Sequence, residues 1–375
     1  MSNDELGRAV AAVDVGAVER NCARLARELE GHTALCAVVK ADGYGHGAIE
    51  CARAALAGGA TVLAIAAASE AKELRGEFGD ATLLVMGALT PSELEVALDT
   101  RAEIAVWTPR FLELLERRAR EHGARPRVHV KYDTGMGRLG ERDPDAVAEL
   151  VRAAASSEEV ELRGLWTHFA TADEPDSEFF AEQLERFRAL ATTLKAEHPE
   201  LLLHAANSAA TLREPSSHFD MVRCGIAVYG LDPFGEDPYA RELEPALELR
   251  SNVADVKRFG AGDSAGYGRT WRADAGTWVG VLPIGYGDGV RRGLSNNADV
   301  LVGGRRYPLV GTVSMDNVTI DLGPETDVEP WTPATLIGAQ GSERILCEEV
   351  ARRLDTINYE VTCGISTRVP REYTR

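Results

Sequence analysis

The chain has 375 residues, 45% of them apolar, and carries 59 acidic against 41 basic residues for a formal charge of −18. That length exceeds one ordinary core and predicts two domains, one large enough for a barrel of about 250 residues. The acidic balance, with no Lys/Arg block to release phosphate counterions, argues against a nucleic-acid or anionic-membrane partner, and no run approaches the roughly 20 apolar residues of a membrane span.

The N-terminus, Met1-Ser-Asn-Asp-Glu-Leu-Gly7, is acidic where a signal peptide is basic and then apolar, which predicts a cytoplasmic protein. Arg8 to Val13 reads as an extra strand, followed by a helix from Val15 to Leu29. From Leu35 onward short apolar runs alternate with longer amphipathic segments. The predicted strands are Leu35 to Val39, Thr61 to Ala66, Thr82 to Met86, Glu103 to Val106, Arg127 to Lys131, Leu162 to Thr167, Leu201 to Ala206 and Phe219 to Arg223. Between them lie segments of helical period, such as Phe179, Leu184, Phe187 and Leu190. Eight strand–helix pairs in succession fit a closed (β/α)8 TIM-type barrel better than an open sheet.

After Tyr229 the texture changes. Leu231-Asp-Pro-Phe-Gly-Glu-Asp-Pro238 reads as a loop, and the chain beyond it predicts strands at Leu247 to Val256, Thr277 to Pro283, Asp299 to Val302, Arg306 to Val313 and Asn317 to Leu322, with a late helix at Glu343 to Leu354. The expected organisation is a barrel domain over 1–244, including the extra N-terminal strand, and a mostly-β domain over 245–375. The six cysteines form no CxxC pair and read as buried thiols; the eight histidines show no metal-binding spacing, so no metal is expected.

Within this frame, Val38-Val-Lys-Ala-Asp-Gly-Tyr-Gly-His-Gly47 places a lysine where a predicted barrel strand gives way to a glycine-punctuated turn. A lysine at a strand end is by itself a common surface feature; one held in an apolar pocket has a lowered pKa and forms a Schiff base with a carbonyl cofactor. A barrel further demands phosphate binding after strands seven and eight. Strand seven runs into Ala206-Asn-Ser-Ala-Ala-Thr211, a helix start with a hydroxyl and backbone N–H groups, and strand eight into Val222-Arg-Cys-Gly-Ile226. Each alone is also an ordinary cap or turn. Asp263-Ser-Ala-Gly-Tyr-Gly-Arg-Thr-Trp271, Lys131-Tyr-Asp-Thr-Gly-Met-Gly-Arg-Leu-Gly140, Gly311-Thr-Val-Ser-Met-Asp-Asn317 and Ile284-Gly-Tyr-Gly-Asp-Gly289 complete the set of glycine-rich segments bearing polar or aromatic groups.

From Arg8 to Arg371 these segments resemble, in order and spacing, those of the alanine racemases. The resemblance implies pyridoxal 5′-phosphate as cofactor, with Lys40 as the Schiff-base residue, Tyr44, Ser208, Gly225, Ile226 and Tyr359 around its phosphate, Asn207 and His168 also among its binding residues, and Arg223 facing its ring nitrogen. An arginine cannot accept that nitrogen's proton, which disfavours a long-lived quinonoid and suits racemisation. Inverting a chiral carbon needs acid–base groups on both faces. The family match assigns these to Lys40 and to Tyr267 of the partner subunit, with His168 linking Tyr267 to Arg223. It gives Arg138 and the Met315 backbone N–H the substrate carboxylate, makes Lys131 a carbamylated anchor for Arg138, puts Tyr286 at the entry, and counts Asp316 among the residues that support the substrate. The implied protein is a homodimer interconverting L- and D-alanine, the latter for cell-wall peptidoglycan. A broader-specificity racemase is the nearest rival. A decarboxylase calls for a carboxylate where Arg223 stands, and a non-catalytic cofactor binder has no use for the Tyr267 domain. Gly287, where alanine is commoner, and the Ser-Ala-Gly lead into Tyr267 depart slightly from the family pattern.

Overall fold

The computed structural model describes residues 7–29 and 31–375; Met1 to Leu6, on which much of the expectation of a cytoplasmic protein rests, lie outside them. Two compact units emerge, one of residues 18–43 and 48–228, the other of residues up to 17, 44–47 and 229–375. No helix among the described residues is long and apolar enough to cross a membrane.

Strand β1 (Ala9–Asp14) opens the chain, and the barrel strands follow as β2 (Ala34–Val38), β3 (Val62–Ile65), β4 (Thr82–Val85), β5 (Glu103–Val106), β6 (Arg127–Lys131), β7 (Glu161–Trp166), β8 (Leu202–His204) and β9 (Met221–Cys224). All pair in parallel, and β9 closes on β2 through Ala34–Met221 to Ala37–Cys224. The expected (β/α)8 barrel is therefore present. Its early strands read as continuous apolar runs because a sheet covered by helices is buried on both faces; β5, β6, β8 and β9 instead turn Glu103, His129, His204 and Arg223 into buried positions. Helices start where Thr90, Thr108 and Asp143 cap a following Pro91, Pro109 and Pro144, each side chain accepting a backbone N–H of the first turn. In the helix Phe179–Glu197 the buried face runs through Phe180, Leu184, Phe187, Ala191 and Leu194.

The second unit centres on a sheet ordered β16–β15–β18–β10–β1–β20, made of β10 (Leu247–Asn252), β15 (Asp299–Val302), β16 (Arg305–Pro308), β18 (Pro333–Gln340) and β20 (Arg371–Thr374) with β1; β19 (Glu343–Ile345) pairs with β18. A three-stranded sheet joins β11 (Asp255–Phe259), β14 (Thr277–Leu282) and β17 (Val318–Gly323), and β12 (Ser264–Ala265) pairs with β13 (Trp271–Arg272). The extra strand assigned to the barrel side thus sits in the β unit, since β1 pairs antiparallel with β10 and parallel with β20. The single strand expected over Leu247 to Val256 is two, in different sheets. The helix expected from Glu343 begins only at Cys347, after β19.

Candidate active site

Lys40 follows Val39 at the C-terminal end of β2. The next four residues form a left-handed turn, with φ of 53° at Ala41, 52° at Asp42, 60° at Gly43 and 54° at Tyr44. Glu70 secures its first residue: one carboxylate oxygen accepts the Ala41 N–H at 2.6 Å, the other those of Ala66 and Ala67 at 2.8 and 3.0 Å. Asp42 accepts the Ala48 N–H at 2.9 Å.

Across the same barrel end lies a group of cations. Arg223, on β9, is 3% exposed. One terminal nitrogen donates to His204 Nδ1 at 2.9 Å; the other donates to the carbonyls of Thr167 (2.7 Å) and Ala205 (3.1 Å) and to His168 Nδ1 (3.3 Å). Its Nε donates to no described residue. Because an arginine only donates, His168 must carry its single proton on Nε2. Burial, then the charges of Arg223, Arg138, Lys131 and Lys40, hold this imidazole well below its usual range, so it is neutral. Lys131 ends β6 at 2% exposure, its Nζ 4.3 Å from the centre of the Trp166 ring, over which the Arg223 guanidinium also lies at 4.8 Å. Burial and the nearby Arg138 and Arg223 bring the Lys131 amine down to about 7, and burial brings Arg223 to about 10. Arg138 is exposed, in a loop fixed by Asp133 accepting the N–H groups of Gly135 and Gly137. After β8, Asn207 caps the helix Ser208–Arg213 through the Ala210 N–H, and the buried Ser208 Oγ accepts those of Gly225 (3.0 Å) and Ala227 (3.4 Å), bracketing Ile226.

In the β unit, Tyr267 sits between β12 and β13, flanked by Gly266 (φ 72°) and Gly268 (φ 70°), and is 72% exposed. A side chain at position 266 would meet the Thr312 backbone nitrogen at 2.8 Å. Three loops are knitted here: Thr312 Oγ1 donates to the Tyr267 carbonyl (2.8 Å), and Tyr286 and Gly287 N–H donate to the Ser314 and Met315 carbonyls at 3.0 and 2.9 Å. The Met315 N–H donates to no described residue. Asp316 pairs with Arg368, which with Arg8 also flanks the buried Asp288. Separately, Tyr44 lies 5.1 Å from Tyr229 and 6.0 Å from Tyr359, between ring centres. Tyr359 rides a short helix, Asn358–Cys363, anchored by the Asn358 amide on the Asp232 carbonyl and Glu348.

The structure therefore gathers Lys131, His168 and Arg223 at one barrel end with Lys40, and Tyr267, Tyr286, Met315 and Asp316 on one group of loops. Sequence reasoning missed Glu70, Trp166, and the histidines His129 and His204. Polar residues inside strands that should be apolar were the available signal for the last two.

Comparison with known proteins shows the family. The family model for the alanine racemase N-terminal domain matches residues 13–233, and that for the alanine racemase C-terminal domain residues 246–373. The chain belongs to the alanine racemase family. An alanine racemase of Symbiobacterium thermophilum is 43% identical over 97% of this chain and 96% of its own length. The crystal structure of alanine racemase from E. faecalis superposes with a TM-score of 0.91 at 40% identity, covering 98% of each chain. That of the Streptomyces lavendulae alanine racemase gives 0.93 at 36% identity, over 98% of this chain and 97% of that one. As a member of this family the chain is an isomerase.

Proposed function

We propose that the protein interconverts L- and D-alanine with pyridoxal 5′-phosphate, using Lys40 and Tyr267 as the two acid–base groups. The observation that carries this reading is the setting of Arg223. It is buried, its terminal nitrogens are spent on two neutral imidazoles and two carbonyls, no carboxylate hydrogen-bonds to it among the described residues, and its Nε remains as a donor. That fits a ring nitrogen that accepts a hydrogen bond and stays unprotonated. Ser208 Oγ accepts from Gly225 and Ala227, which leaves its own O–H, with the Ile226 N–H between those two amides, as donors that fit a phosphate. When bound, the cofactor supplies an electron-withdrawing ring that acidifies the α-hydrogen of an amino acid.

The residues that would hold it are Lys40 at its aldehyde carbon, Arg223 with His168 at its ring, and Tyr44, Ser208, Gly225, Ile226 and Tyr359 at its phosphate, with Asn207 beside them at the start of the helix that carries Ser208. Lys40 removes or delivers the α-proton on one face and Tyr267, from the partner subunit, on the other. Arg138 and the Met315 N–H bind the substrate carboxylate; Tyr286 lines the entry, and Asp316, paired with Arg368, supports the Met315 loop. Lys131 as a carbamate turns its repulsion of Arg138 into attraction, and its lowered pKa supports this because only the neutral amine takes up carbon dioxide. The working boundary between barrel and β domains is 244/245, between the two family matches. Cytoplasmic supply of D-alanine for peptidoglycan is the role this reading assigns.

The test is incubation of the purified protein and pyridoxal phosphate with L-alanine in D2O, alongside L-serine and L-lysine. Deuterated D-alanine well ahead of the other two is expected; a Tyr267→Phe variant should keep cofactor absorbance and lose most turnover. Bound cofactor without exchange on any substrate overturns the reading.

A further inference from the structure

Arg223 is the last link of a buried hydrogen-bond chain that crosses the barrel interior. Its terminal nitrogen meets His204 Nδ1 at 2.9 Å, His204 Nε2 meets His129 Nδ1 at 2.9 Å, and His129 Nε2 meets Glu103 Oε2 at 2.8 Å. The four residues are 3%, 0%, 1% and 7% exposed, from Arg223 to Glu103. Only one polarity satisfies this chain. Arginine has no acceptor, so His204 Nδ1 is unprotonated and its proton lies on Nε2; that forces His129 to accept at Nδ1 and donate from Nε2, toward a carboxylate that only accepts. Every donor meets one acceptor, with a cation at one end, an anion at the other and two neutral imidazoles between.

The fold makes room for this arrangement. A Cβ on Gly164 of β7 would come within 2.4 Å of His129 Nδ1, so the strand beside that imidazole carries no side chain. His204 stacks on Trp166 with ring centres 5.7 Å apart and planes 3° from parallel. Burial and the Arg223 charge keep His204 well below its usual range, as the chain requires. Burial works to raise the Glu103 carboxyl, but the hydrogen bond from His129 and the charges of Arg163 and Arg127 work the other way and hold the group below its usual range, so it is ionised. Glu103 starts β5, at the end of the barrel where a polar residue ordinarily serves stability alone.

We infer that Glu103 is a positioning residue for Arg223: acting through His129 and His204, its carboxylate fixes the orientation of the guanidinium and supplies the counter-charge that a buried arginine otherwise lacks. The inference rests on the reading that Arg223 faces the cofactor ring. It assigns catalysis a residue that touches neither cofactor nor substrate.

The test uses 15N-histidine-labelled holoenzyme. His129 and His204 should both show the Nε2–H tautomer, with ring N–H protons slow to exchange. Glu103→Gln keeps an acceptor oxygen and removes the charge. It should move the His204 resonances, two hydrogen bonds away, and lower kcat by about 10- to 100-fold with little change in KM, as misplacement of a group at the reacting centre does. Glu103→Asp should recover part of the loss. An Nδ1–H tautomer at either histidine of the native protein overturns the chain without needing any variant. A His204 signal that ignores Glu103→Gln, or an unchanged kcat, overturns the positioning role. Native protein that shows the expected tautomers but does not racemise alanine would instead sink the functional reading.

Discussion

Lys131 has almost no contact with water, and its amine lies over the Trp166 ring beside Arg138 and Arg223. Burial and these cations make the charged form costly, so its pKa falls to about 7. An unfolded chain holds that proton up to about 10.4. Below pH 7 both states are protonated and the folded state carries the full cost of a buried cation. As pH rises from 7 toward the unfolded value, the folded state sheds the proton first and gains about 1.4 kcal/mol per pH unit relative to the unfolded chain. Buried thiols act in the opposite sense at alkaline pH: burial pushes Cys22, Cys36, Cys51 and Cys347 up, so only the unfolded chain ionises them. The informative quantity is therefore a difference between two proteins. In carbonate-free buffer, Lys131→Met, close in volume but uncharged, should melt higher than the native chain below pH 7, and the gap should narrow from pH 7 to 9. A gap independent of pH would show that Lys131 does not titrate there.

The turn after Lys40 shows how an element can be built against its own backbone preference. Left-handed φ at Ala41, Asp42 and Tyr44 costs about 1–2 kcal/mol at each non-glycine residue. The offset comes from Glu70, whose two oxygens hold three backbone N–H groups, and from Asp42 on the Ala48 N–H. A glutamine at 70 would present an NH2 group to one or two of those donors. Glu70→Gln should thus lower stability by about 2 kcal/mol and weaken cofactor binding, read as a lower melting temperature and a right-shifted absorbance titration with pyridoxal phosphate. Unchanged binding would show that the turn keeps its shape without the carboxylate. Glu70 was not legible in the sequence, because nothing local joins position 70 to position 41; barrel closure does. The barrel strands were legible for the opposite reason: burial on both faces leaves runs such as Val62–Ile65 apolar throughout. The β unit was harder to read. Pro333–Gln340 contains proline and glycine and resembles a loop, Arg371–Thr374 is charged, and the step between β10 and β11 sends one apparent strand into two sheets. Candidate site residues could be picked out where glycine-rich motifs carry them, whereas His129, His204 and Glu103 belong to separate strands and only the closed barrel makes them one chain.

At the scale of the whole molecule, the β unit leaves Tyr267, Met315 and Tyr286 at 72%, 51% and 44% exposure on mutually bonded loops. Ion pairs of Arg8 and Arg368 with Asp288, and of Arg368 with Asp316, tie the Tyr286 and Met315 loops together, and the Thr312 hydroxyl ties in Tyr267. Exposed aromatic and apolar groups gathered on bonded loops are the kind of patch that marks an interaction site, which is where the proposed partner subunit would dock. If each active site takes Lys40 from one subunit and Tyr267 from the other, two-fold symmetry makes a decisive experiment possible. Lys40→Ala and Tyr267→Phe homodimers should each be nearly inactive. Subunit exchange between them produces mixed dimers in which one site carries both substitutions and the other carries neither. With random exchange half of the dimers are mixed, so activity should rise to about one quarter of the native value. The rise should follow the exchange kinetics measured by mass spectrometry of the mixture. Activity that stays at the level of the parents after exchange is complete would mean that Lys40 and Tyr267 serve the same site from the same chain, or that Tyr267 serves none.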